Sequence, residues 1–169
     1  MRSRLKCGER VWRLNTLRID VPHQNFADMQ HLAEQIADLV APRAVVLLNG
    51  PLGAGKTTWV QAMCRRLGVR ESVTSPTFDL LHIYQAEGLT IYHVDGYRLT
   101  QCAEWEVLDL PNPLGVNTVI LAEWAEVLRP VYPERLEVTL RLENGGTSRG
   151  VMLWGVGPEW TERLRGFTR

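Results

Sequence analysis

The segment Gly50-Pro51-Leu52-Gly53-Ala54-Gly55-Lys56-Thr57 has residue types and a spacing suited to one chemistry, the holding of a polyphosphate. It satisfies the pattern G-x-x-x-x-G-K-[ST] at every fixed position. Glycines let the backbone turn tightly, so the N–H groups of Gly53, Ala54, Gly55, Lys56, Thr57 and Thr58 can approach phosphate oxygens. The loop leads into a helix, whose N-terminal dipole also favours anions. Lys56 would neutralise the β- and γ-phosphates, and the Thr57 hydroxyl would reach magnesium. Lys56 is one of two lysines in a chain that otherwise takes its positive charge from arginine. An ordinary glycine-rich turn would not need all of these residues in this order.

A magnesium–nucleotide site also needs an acid at the end of a strand neighbouring the loop. Asp95, ending Leu89-Thr90-Ile91-Tyr92-His93-Val94, fits that duty; otherwise it starts a turn with Gly96. Glu123, after the apolar run Val119–Ala122, could hold metal or polarise an attacking water, or merely cap a short helix. Thr57, Asp95 and Glu123 are thus the candidate metal-side groups. Thr74-Ser75-Pro76-Thr77 lies where P-loop proteins carry a switch hydroxyl, and its spacing alone suits a plain turn equally well. Trp124 on composition alone is more often a core residue than a functional one.

These groups need elements to position them. Ala44-Val45-Val46-Leu47-Leu48 reads as a strand buried on both faces, as in a parallel sheet. It runs directly into the loop, and a helix over Lys56–Leu67 follows, stopped by Gly68. Asn25 caps a helix with apolar residues at Phe26, Met29, Leu32, Ala33, Ile36, Leu39 and Val40, ended by Pro42. Strands are expected at 11–21, 78–84, 89–94, 119–122, 136–142 and 150–156. A short helix is expected over 103–110 and a last one over 158–167. The class is α/β: a three-layer domain of P-loop NTPase type, its central sheet largely parallel with antiparallel additions.

The chain has 169 residues, of which 45% are apolar and 22% charged, with a formal net charge of zero. This suits one domain with a real core, and it argues against a protein whose main work is coating nucleic acid. Cys7, Cys64 and Cys102 are odd in number and lack metal-ligand spacing, so a reducing, cytoplasmic setting is expected. No apolar run approaches a membrane span. Residues 1–24 read as a basic extension without the apolar block of a secretory signal, containing the first strand, and 25–169 as a single domain.

Taken together, Gly50–Thr58, Ser75-Pro76-Thr77-Phe78, His93-Val94-Asp95-Gly96-Tyr97-Arg98-Leu99 and Glu123-Trp124 resemble the TsaE family, the ATPase component of the bacterial machinery that makes threonylcarbamoyladenosine in tRNA. The resemblance covers roughly residues 25–166, and Glu104 and Glu106 fall where that family has acids. It implies ATP and Mg²⁺ as ligands and an ATPase weak on its own. It also implies action with a two-protein threonylcarbamoyl transferase complex, TsaB and TsaD, with tRNA met only through that complex. By motif position, Asp95 is the magnesium-side acid, Thr77 the switch threonine, and Glu123 with Trp124 the nucleotide-responsive pair needed for hydrolysis. Two positions depart from the pattern. Gly96 replaces a usual bulky apolar residue, which would loosen the loop carrying Tyr97 and Arg98. Ala125 stands where a proline usually follows.

Other readings make different predictions. A guanine-specific protein would need an N/T-K-x-D motif, absent here. A small-molecule kinase would use Asp95 as base and Arg98 or Arg129 as a phosphate clamp. A non-hydrolysing ATP-binding module would bind ATP and turn it over negligibly even with partners.

Overall fold

In the computed structural model the described residues are 15–40, 42–99 and 101–167. Residues 1–14, with most of the basic arm, and the start of the strand expected at 11–21 lie outside them. Seven strands form one sheet in the order β1-β7-β6-β2-β5-β4-β3. In chain order they are β1 (Thr16–Gln24), β2 (Ala44–Asn49), β3 (Leu81–Ala86), β4 (Leu89–Asp95), β5 (Thr118–Glu123), β6 (Arg135–Glu143) and β7 (Ser148–Val156). β6, β2, β5 and β4 run parallel. β7 and β1 on one side and β3 on the other are added antiparallel.

Every residue of β2 and β5 is buried. Apolar runs without alternation are what strands covered on both faces require, because neither set of side chains meets water. One face carries α1 (Phe26–Ala37), α2 (Lys56–Arg66) and α4 (Pro158–Phe167), which bury Met29, Ile36, Trp59, Met63, Trp160 and Leu164 against the sheet. The other is covered by α3 (Cys102–Glu106) and the segments around it, with Trp105, Leu110, Leu128 and Tyr132 at its centre. Each fully buried aliphatic or aromatic side chain of this kind contributes about 1.5–3 kcal/mol of transfer free energy. Asn25 accepts a hydrogen bond from the Asp28 N–H (2.9 Å), which fixes the start of α1.

The differences from expectation are local and have physical causes. The first strand continues to Gln24 rather than ending at 21, because β1 pairs along β7 from Thr16 opposite Val156 to Gln24 opposite Arg149. The third strand begins at Leu81 rather than Phe78, since Phe78 is 83% exposed in a turn and the chain takes positive φ at Leu80. The expected helix at 103–110 is the shorter α3, ended well before Pro111.

Candidate functional site: a phosphate loop facing two carboxylates

The parallel strands β2, β5 and β4 end side by side, with Leu48 opposite Glu123 and Glu123 opposite Asp95. Ligands of open α/β sheets lie outside these carboxyl ends. A cavity of about 460 Å³ opens there, lined by Gly53, Gly55, Lys56, Thr57, Thr58, Ser75, Thr77, Asp95, Glu123 and Trp124, with Phe26, Leu52, Tyr97 and Arg149. All the site residues expected from the sequence line it except Ala54, which is buried behind the loop.

Gly55 caps α2 at φ +104°, where a side chain would be strained, and its missing Cβ leaves room for Met29 Cε. No side chain caps this helix, and its first turn, Gly55 to Thr58, lines the cavity, an arrangement that suits an anion. The Lys56 ammonium donates to the carbonyls of Gly50 (2.8 Å) and Pro51 (3.0 Å) and sits 3.6 Å from the centre of the Trp124 ring. Burial pulls its pKa below the ordinary lysine value, and the carboxylates of Glu123, Asp95 and Glu126 pull it back up. Trp124 holds this pose at φ +55°, a costly conformation for a bulky residue, fixed by its N–H on the Leu48 carbonyl (3.0 Å). Tyr97 packs edge-on against its ring, 5.3 Å between centroids.

The two acids divide between two partners. Thr57 Oγ1 donates to Glu123 Oε1 (2.9 Å), with Oε2 at 3.2 Å. Asp95 accepts from Thr77 Oγ1 (2.7 Å) and from Ser75 Oγ at 3.4 Å, and its other oxygen takes the Tyr97 N–H (3.0 Å). Of the two strands that end in these acids, the one ending in Glu123 lies beside the loop strand, while Asp95 stands one strand farther out. Of the two acids expected on the metal side, Glu123 is thus the one in contact with Thr57, a placement set by sheet order, which strand-end spacing does not reveal. Magnesium takes few protein ligands and keeps phosphate oxygens and waters. One hydroxyl and one carboxylate beside a phosphate loop fit that demand. Among the described residues no group of three His, Cys, Asp or Glu side chains has metal-binding geometry.

Arg149 was not anticipated. It comes from β7 and reaches the loop, donating to the Gly53 carbonyl (3.3 Å) and the Gly146 carbonyl (2.8 Å). Nothing local in Thr147-Ser148-Arg149 marks it, since its role depends on a hairpin folding back over the loop. The two arginines considered as phosphate clamps are engaged elsewhere. Arg98 lies over the Phe78 ring (5.1 Å), and Arg129 is paired with buried Glu137 (Nη2–Oε2 2.6 Å).

Gly96 does not loosen its loop. A Cβ there would run into the outer ring atoms of Trp105 and approach the Trp124 carbonyl at 2.8 Å. The Trp105 indole fills the space that a bulky side chain at position 96 would take, and the Gly96 N–H is held by the Glu123 carbonyl (2.8 Å).

A phosphate loop between a buried parallel strand and an uncapped helix, with a carboxylate on the hydroxyl of its threonine, defines a P-loop α/β protein. The family model described as threonylcarbamoyl adenosine biosynthesis protein TsaE matches residues 23–151, and the chain belongs to that family. Relatives described as tRNA threonylcarbamoyladenosine biosynthesis protein TsaE include that of Streptomyces coelicolor, 37% identical over 139 residues, 78% of this chain and 93% of the relative. That of Rickettsia conorii is 40% identical over 115 residues, 67% of this chain and 65% of the relative, so the match spans just under two thirds of that protein. The crystal structure of Bacillus subtilis YdiB shares the fold, with a TM-score of 0.70, 24% identity, and coverage of 94% of this chain and 97% of that one.

Proposed function

We propose that this chain binds ATP with Mg²⁺ and hydrolyses it as the ATPase component of the machinery that makes threonylcarbamoyladenosine in tRNA, acting in the cytoplasm with a two-protein threonylcarbamoyl transferase complex of TsaB and TsaD type. The observation that carries the reading is the Thr57–Glu123 contact (2.9 Å) at the mouth of the phosphate loop, with Lys56 beside it. Family membership supplies the pathway.

In this reading the loop N–H groups and Lys56 take the phosphates, and Thr57 and Glu123 hold the cation. When bound, Mg²⁺ neutralises charge on the β- and γ-phosphates. Glu123 Oε2 orients the attacking water, directly or beside the cation. The Ser75–Thr77 segment, latched on Asp95, is the part free to reorganise when a γ-phosphate offers a competing partner. Lys56 leaves its carbonyl partners for phosphate, and the Trp124 ring then loses a cation at 3.6 Å, so indole fluorescence is the natural reporter. Turnover by the chain alone is slow, because Arg98 and Arg129 are engaged outside the cavity and Arg149 is spent on loop carbonyls. Docking on the partner complex is what completes the site.

The test is ATP turnover by the purified chain, repeated with both partner proteins and tRNA. Slow hydrolysis alone and faster or productive hydrolysis in the complex is expected. Fast partner-independent turnover of hundreds per second, or ADP formation dependent on a small-molecule acceptor, would reject it in favour of a free-standing ATPase or kinase.

A further inference from the structure

His93 is fully buried and its Nε2 lies 3.0 Å from Glu123 Oε1. It belongs to β4, where it pairs with Leu121 of β5, two residues before Glu123. Side chains two apart on a strand share a face, so this register brings His93, outside the cavity lining, against Glu123, which lines it. Among the described residues no hydrogen-bond partner reaches the other ring nitrogen, Nδ1. The Tyr84 ring packs beside the imidazole, 6.4 Å between centroids, while its hydroxyl donates to the Thr74 carbonyl (3.3 Å).

The unpartnered Nδ1 bears on which ring nitrogen carries the proton. An imidazolium, or a Glu123 carboxyl donating to Nε2 of the other tautomer, would leave an N–H at Nδ1 buried with nothing to accept it. A neutral ring protonated at Nδ1 without that donation would also aim the Nε2 lone pair at a carboxylate oxygen. Only the neutral ring protonated at Nε2 donates to Glu123 and leaves at Nδ1 a lone pair rather than an unaccepted N–H.

We propose that His93, as the neutral Nε2–H tautomer, is a positioning residue that holds Glu123 Oε1 and so presents Oε2 toward the nucleotide. Thr57 alone is insufficient for this, because its hydroxyl sits on the first turn of α2 and must also serve the cation. The β4 histidine is fully buried in a strand paired on both sides and lies outside the cavity lining. Partners that orient a metal-side carboxylate in this way typically influence affinity or rate by about ten- to a hundredfold. The inference rests on the ATPase reading for its effect on rate, but the hydrogen bond itself does not.

The test has two arms. In the ¹⁵N-labelled protein without nucleotide, long-range ¹H–¹⁵N correlation of the histidine rings should show His93 protonated at Nε2 with an unprotonated Nδ1. The signal is assigned by its loss in His93→Gln, or by correlation to its own backbone if that variant does not fold. A proton at Nδ1 would overturn the proposal. In the second arm, His93→Leu should lower kcat for Mg-ATP about tenfold or more while ATP binding in EDTA stays within about threefold. His93→Gln, whose amide N–H reaches the same place, should recover most of that loss. Equal loss in both variants at matched melting temperature, or none in His93→Leu, would overturn it. If the wild-type chain hydrolyses no ATP, alone or with partners, the ATPase reading fails, and the tautomer measurement decides the His93 contact by itself.

Discussion

The Thr57 hydroxyl and the Glu123 carboxylate meet at 2.9 Å across 66 residues of sequence, tying the first turn of α2 to the end of β5. A threonine whose hydroxyl donates its hydrogen bond to this carboxylate keeps its oxygen lone pairs for a cation. Glu123→Gln keeps the shape but weakens both functions. We expect ATP binding in EDTA to be retained, the Mg²⁺ requirement to rise, and turnover to fall by about ten- to a hundredfold. Calorimetry with and without Mg²⁺, beside a steady-state assay, separates these effects. Unchanged turnover would remove Glu123 from the site.

Asp95 holds the Ser75–Thr77 segment rather than the loop threonine. Asp95→Asn should therefore speed backbone amide exchange across residues 74–79 in the nucleotide-free protein, with little change in α2. Hydrogen-exchange mass spectrometry reads this directly. Exchange that rises equally in α2 would mean that Asp95 supports the loop itself.

Lys56→Ala should abolish stabilisation by Mg-ATP. A ligand at a hundred times its Kd adds about 2.7 kcal/mol to a folded protein. At this chain length that raises the melting temperature by several degrees. The variant should melt at one temperature with or without nucleotide, and a preserved shift would show that the loop is not where ATP binds.

Gly96 and Trp105 exchange volume. Gly96→Leu inserts a side chain where the Trp105 ring already lies, and such overpacking costs about 1–3 kcal/mol. The double variant Gly96→Leu/Trp105→Leu should regain part of that loss, because the indole no longer fills the space beside position 96, while the approach to the Trp124 carbonyl remains. Thermal melts of the two singles and the double form the cycle, and strictly additive losses would refute the pairing.

Burial pushes the Cys64 thiol up to about 12 from its ordinary 9.0. At pH 8 its thiolate fraction is smaller by about a thousandfold than that of an exposed cysteine. In a Cys7→Ser/Cys102→Ser background, an aromatic disulfide reagent should leave the native protein unmodified over minutes and react fully in guanidinium. The sign of the linkage follows: the native state favours the protonated thiol, so this contribution to stability is intact below pH 9 and is lost as pH rises toward 12.

The sequence by itself determined the phosphate loop, the buried strand before it, the helix after it and the α/β class, because each depends on residues close together along the chain. Gly50 to Thr57 carries its function in its own spacing, and Ala44–Leu48 declares by its unbroken apolar run that both faces are covered. The family was legible for the same reason, in a few short blocks in a fixed order. Tertiary structure alone decided which acid serves which hydroxyl. Asp95 and Glu123 both end strands after apolar runs, and only the order β2-β5-β4 puts Glu123 beside Thr57 and leaves Asp95 to Thr77. It also decided that Arg149 reaches the loop from β7, that Trp105 takes the space above Gly96, and that His93 stands against Glu123. Apart from Gly96 and Trp105, nine positions apart but joined only when α3 folds back, those are contacts between residues far apart in sequence. No local pattern encodes them, because they come from strand register and crossovers that are set only when the whole sheet assembles.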